Sequence, residues 1–217
     1  MQAQANPELL ALIGKEEKIL WQGRPDKRCF LLEAVFNPLL PLALIWGLLD
    51  ASFISLALHQ ENFPKEMSVF MIGFFALHLM PVWIYLAGVI FSIFRYQNTS
   101  FAITDQGVYV SGGLLTQNYE RKPFAEISHV NLSRGLFDRW IGVGDVVMSN
   151  AHETYHHARM PIFKGTSICD ISDYAEVYQL VKKLQTDIFT DAMYPNDMRP
   201  DTNRGYHTRY DTDDMFK

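Results

Sequence analysis

FLLEAVFNPLLPLALIWGLLDASFISLAL (Phe30–Leu58) and MSVFMIGFFALHLMPVWIYLAGVIFSIF (Met67–Phe94) are two long apolar runs joined by a short polar link. The second holds no Asp, Glu, Lys or Arg. At ~1.5 Å rise per residue, each run as a helix is long enough to cross a hydrocarbon core of roughly 30 Å. The link, His59 to Glu66, is short and rich in turn formers, so the helices are expected to be antiparallel neighbours. Pro38 and Pro41 near the first entry predict a kink or an interfacial first turn. The reading is a transmembrane helical hairpin over residues 30–94.

Orientation follows from the basic residues around the spans. Lys15, Lys18, Arg24, Lys27 and Arg28 precede the first and Arg95 follows the second, whereas the link carries only Lys65. Both termini are therefore expected in the cytoplasm. The N-terminal stretch lacks a basic n-region and a long apolar h-region, so no cleavable signal peptide is expected. Pro7 to Ile13 reads as a short helix ended by Gly14. Residues 1–29 read as a juxtamembrane segment, with Trp21 suited to a membrane interface.

The 217 residues carry a net charge of −5, which argues against a nucleic-acid binder. Cys29 and Cys169 make neither a disulfide framework nor a CxxC motif and read as reduced thiols, with acylation of Cys29 at the membrane edge as the alternative.

After Arg95 the apolar period changes. Tyr96–Thr104, Val108–Val110, Leu114–Pro123, Ile127–Leu132, Asp145–Ser149 and Ala158–Phe163 read as strands, punctuated by Asp105-Gln106-Gly107, Gly112-Gly113 and Ser133-Arg134-Gly135. In the first of these turns Gly107 is expected to supply positive φ. Short strands at this spacing suggest an antiparallel sandwich or barrel. Ser172-Asp173 opens a helix whose apolar stripe is Ala175, Val177, Tyr178, Val181, Leu184 and Ile188. From Tyr194 the chain is polar and broken by Pro195 and Pro200; residues 194–217 are expected to be a disordered or partner-dependent tail.

Several strands closed by one amphipathic helix outline a pleckstrin-homology barrel. Phe101-Ala-Ile-Thr-Asp-Gln-Gly-Val108, Gly112-Gly113, Ile127-Ser-His-Val130 and Leu136-Phe-Asp-Arg-Trp-Ile-Gly-Val-Gly-Asp-Val146 resemble the bacterial PH-like domain family. Arg139-Trp-Ile-Gly-Val-Gly144 is the most specific part. Members of that family often follow a pair of membrane helices, and many carry a Trp-x-Gly-x-Pro element upstream, which Trp21-Gln-Gly-Arg-Pro25 matches. The resemblance implies a membrane α-helical hairpin plus a cytoplasmic PH-like domain, an antiparallel β-barrel or sandwich closed by a C-terminal amphipathic helix, at residues 95–193. It implies a location in the bacterial cytoplasmic membrane and carries no reaction, catalytic residue or cofactor.

Four groups of residues are candidates for chemistry. His152-Glu-Thr-Tyr-His156 matches HExxH formally, in which two imidazoles four apart on a helix hold zinc and Glu153 activates water. Its place between two predicted strands, among polar neighbours, favours a hairpin loop, so a membrane zinc protease stands as the alternative function. Arg95, Arg121 and Lys122 are the residues that could face anionic lipid. Basic and acidic residues balance between Arg95 and Ser172, seven of each, so specific phosphoinositide recognition is not expected and a lipid-responsive adaptor is a further alternative. Asp50 and His78 fall at similar depth, within ~4–5 Å along antiparallel helices, and are expected to pair across the hairpin, first as a structural pin and second as a proton relay. Phe137 and Trp140 read as core or interface anchors. The leading expectation is a non-enzymatic scaffold, without cofactor, that binds the bilayer and another membrane protein.

Overall fold

The computed structural model describes residues 5–59, 65–150, 154–157, 160–163 and 165–193. The link tip around Asn62, His152, Glu153 and the tail 194–217 lie outside the described residues. The elements in chain order are α1 Pro7–Ala11, β1 Ile19–Gly23, α2 Lys27–Val35, α3 Leu39–Leu58, α4 Lys65–His78, α5 Met80–Asn98, β2 Ser100–Thr104, β3 Gly107–Gly112, β4 Asn118–Pro123, β5 His129–Ser133, α6 Leu136–Ile141, β6 Gly144–Ser149, β7 Thr154–His157, β8 Met160–Phe163, β9 Thr166–Ile171 and α7 Tyr174–Met193. They form two compact units, Met1–Phe30 with Arg95–Lys217, and Leu31–Phe94.

The first unit carries two larger antiparallel sheets, ordered β1-β2-β3-β4 and β5-β6-β9, and a β7-β8 pair. Its core joins Phe101 and Ile103 of β2, Val108 of β3, Val146 and Met148 of β6 and Ile168 of β9. Phe124 and Ile127, in and after a single 3-10 turn at Phe124–Glu126, complete it against α7. Val177, Val181 and Leu184 give α7 its buried stripe. Ala175, expected in that stripe, is exposed. All five residues of β2 are buried. Phe101 and Ile103 face this core, while Ala102 packs with Ala5 and Leu9 of the α1 region on the other side of the sheet.

Residues 1–29 are thus more than a juxtamembrane segment. β1 pairs with β2, Trp21 opposite Ile103, and Trp21 Nε1 donates to Asp173 Oδ2 at the start of α7 at 2.6 Å. Trp21 is an anchor of the fold, and its strand was hidden because Ile19, Leu20 and Trp21 are apolar in succession, a run too short to show any alternation. Tyr96 to Asn98 belong to α5 rather than to the first predicted strand. β7 and β9 were not legible as strands: one is polar, and the other is split by Ser167 and Asp170. Gly107 has no positive φ; a Cβ there would lie 2.8 Å from the Lys122 carbonyl oxygen, so close approach of β3 and β4 is what requires glycine.

The second unit is helical. Asn37-Pro38 breaks the first apolar run into α2 and α3, because proline removes a donor and disfavours helix in the residue before it. The second run is also two helices, α4 and α5, bent by 55° at Leu79. Pro81 has no N–H to offer Leu77. Two freed carbonyls find indoles: Trp83 Nε1 donates to Ala76 O at 3.0 Å, and Trp46 Nε1 to His78 O at 2.7 Å. Leu39–Ala57 is long and apolar enough to cross a membrane, and Val69–His78 with Met80–Asn98 qualify as one bent span.

Candidate functional site

In the first unit the chain passes toward the hairpin through a buried acidic knot. Asp26 Oδ1 accepts from the N–H groups of Arg28 and Cys29, capping α2, while the Asp26 N–H donates to the Asp170 carbonyl at 2.7 Å. Cys29 is fully buried, and its thiol donates to Asp138 Oδ1 at 3.1 Å. Asp138, 1% exposed, accepts from the Gly135 N–H through its other oxygen at 2.6 Å, closing the first turn of α6. Gly142 ends that helix at φ +91°, its N–H on the Asp138 carbonyl. Asp170 is buried at φ 55°, a conformation aspartate tolerates better than most residues, and its N–H donates to Asp145 Oδ1 at 2.8 Å. The β6–β9 register shifts between Gly144 and Val146, where this bond forms.

Burial, reinforced by hydrogen bonds to Asp138 and Asp170, pushes the Cys29 thiol far up. It stays protonated at neutral pH, neither nucleophile nor thiolate ligand. Its Sγ and one oxygen each of Asp138 and Asp170 lie within 4.8 Å of one another. With the thiol proton donated to Asp138, the group works as a hydrogen-bonded tether. Full burial also removes Cys29 from acylation. Sequence reasoning missed this knot because its members are 109 and 32 residues apart; only Asp138, inside the quoted motif, carried a signal.

Burial pushes the Asp145 carboxyl up and the Asp138 charge adds to this, while the Asp170 N–H pulls it down. A raised folded-state value means that the folded chain holds the proton more tightly than the unfolded chain. That stabilisation is present at acid pH and is lost as pH rises through the folded value. Asp145→Asn keeps the oxygen that accepts from Asp170 and removes the ionisation cost. Thermal melts from pH 4 to 7 are expected to show a higher melting temperature than the unaltered chain at pH 7, with the gap closing toward pH 4; a gap that does not change with pH would clear Asp145 of any such cost.

In the second unit the structure brings Asp50 and His78 together. His78 Nδ1 lies 2.8 and 3.0 Å from the two Asp50 oxygens. Asp50 is 1% exposed, and the imidazole stacks on Trp46 and Phe74 with centroids 5.2 and 5.1 Å away. The basic residues are not brought together. Arg95 is exposed on α5. Arg121 lies over the Tyr109 ring and 3.6 Å from Glu17, whereas Lys122, next on the same strand, is 4% exposed. Successive strand residues point to opposite faces, so the adjacent pair cannot form one lipid-facing patch. For HExxH, the described part, including His156, is strand β7 paired with β8. A zinc-protease motif needs both histidines on one helix.

Trp140 is not core. It is 76% exposed, one turn from Leu136 at 78%, and Phe137 is half-buried. Asp138, between them, holds Cys29, so α6 lies at the end of the first unit from which the chain leaves.

The sequence model of the family described as Bacterial PH domain matches residues 38–184, from the foot of α3 into α7. The chain belongs to that family. The Trp21–Pro25 element and β1 lie before the matched range, and the PH domain of this chain is completed by them. No curated protein and no solved structure matches the chain.

Proposed function

We propose that this Bacterial PH domain protein is a non-enzymatic scaffold of the bacterial cytoplasmic membrane. In this reading α3 and the bent α4–α5 span the bilayer, both termini are cytoplasmic, and the PH domain docks another membrane protein. The observation that carries the membrane assignment is exposure: only 11% of the apolar window Leu39–Ala57 is buried, unlike the core helix of a soluble protein. Such a surface is stable against lipid tails and costly in water. The two indole bonds at the Leu79 break support the same reading, since freed carbonyls find no water in hydrocarbon. A reporter fused after Lys217 is expected to read cytoplasm and one inserted near Asn62 the outside; the reverse would overturn the topology.

Docking is supported by Leu136 and Trp140, two large apolar side chains on one exposed face of α6. The double change Leu136→Glu with Trp140→Glu is expected to abolish recovery of the partner from mild detergent and leave the melting temperature within about 2 °C, as surface changes do. Full recovery would rule out this face.

A further inference from the structure

Between α3 and α4 lies a groove of about 510 Å³, inside the roughly 300–1,000 Å³ range of small-molecule sites. Its walls include Phe53, Phe70, Met71 and Phe74, and Asp50 with His78 supplies its polar part. A carboxylate only accepts hydrogen bonds, so Nδ1, held against both Asp50 oxygens, carries the imidazole proton. In the neutral ring Nε2 is then an acceptor, and it has no hydrogen-bond partner among the described residues.

We infer that this groove binds a phenolic lipid, an aromatic hydroxyl on an apolar tail, with the hydroxyl donating to His78 Nε2. Hydrogen-bond complementarity selects the polar group. An acceptor in an apolar groove calls for a donor, and a phenol is a stronger donor than an aliphatic alcohol. Charge selects against an anionic headgroup, which would bring a second negative charge beside Asp50. The phenyl rings select the body, because aromatic pairs in offset or edge contact gain beyond the area they bury. The inference adds a ligand site in the hairpin to the docking role proposed for the PH domain, and it does not depend on the direction of the spans.

The test uses the full chain in lipid nanodiscs and ring-fluorinated para-decylphenol, its methyl ether and decanol, with binding followed by fluorine NMR or by competition. The phenol is expected to bind about tenfold more tightly than the ether, the value of one well-made buried hydrogen bond. Decanol, with a hydroxyl but no ring, is expected to compete weakly. Asp50→Asn frees the tautomer, and the phenol-to-ether ratio is expected to fall below about threefold. Phe70→Ala is expected to weaken both ligands and preserve their ratio, which separates the groove from the hydrogen bond should Asp50→Asn disturb folding. Equal binding of phenol and ether to the unaltered chain would overturn the inference. So would a photo-crosslinker at Phe70 that captures a protein helix the phenol does not displace.

Discussion

Asp138→Ala is expected to destabilise the PH domain by about 2–3 kcal/mol, a drop of roughly 5–10 °C in melting temperature for a unit of this size. The substitution leaves the Gly135 N–H without its acceptor, strands the Cys29 thiol in a fully buried position and opens a small void. An orphaned buried donor alone costs about 1–3 kcal/mol. One effect runs the other way, because Asp138, Asp145 and Asp170 are like charges in one buried region and deleting one relieves repulsion. The orphaned donor and the void are expected to win, since the Asp170 N–H also serves the Asp145 carboxylate. Asp138→Asn keeps an acceptor oxygen for Gly135 and sheds the charge, so its cost is expected to stay within about 1 kcal/mol. Chemical denaturation of both variants in detergent decides between the terms. A neutral or stabilising Asp138→Ala would mean that repulsion dominates the knot.

The knot and the hairpin pair differ in how far the sequence reveals them, for a physical reason. Asp50 and His78 are polar groups in apolar runs. Their depths follow from a constant rise per residue, so one dimension of arithmetic is enough to bring them close. The partners Cys29, Asp138 and Asp170 meet only after β1 has paired with β2 and β6 with β9, and no local period encodes that. Strand β1 shows the same limit: Ile19 to Gly23 is too short for alternation to speak, and its membership in the sheet rests on long-range pairing and on one indole bond to Asp173. In contrast, α7 was legible because a 3.6-residue period over about four turns marks its buried side, and the break at Asn37-Pro38 was foreshadowed by Pro38 and Pro41, whereas the break before Pro81 was not read from the second run. The Arg121-Lys122 pair misled for an elementary reason. Adjacent in sequence means opposite in a strand.

The hairpin carries the second large effect. His78→Leu is expected to destabilise it by about 2–3 kcal/mol, because it leaves the Asp50 carboxylate, 1% exposed, without a partner. Insertion scales place a charged residue at the helix centre at roughly 2.5–3.5 kcal/mol, while interhelical hydrogen bonds in membranes average only ~0.6 kcal/mol. The pair therefore matters less for the bond it makes than for the charge that its loss would strand. Asp50→Asn is expected to cost less, since the amide can still bond Nδ1. The ring also stacks on Trp46 and Phe74, and a leucine loses that contact as well. His78→Phe separates the two effects: it retains an aromatic ring but still orphans Asp50, so it is expected to be nearly as damaging as leucine. The double change Asp50→Leu with His78→Leu removes both polar groups and is expected to recover most of the loss. Thermal unfolding of the singles and the double in detergent gives the coupling directly. Additive losses would mean that the two side chains do not support each other in the folded hairpin, and that Asp50 meets its partner elsewhere.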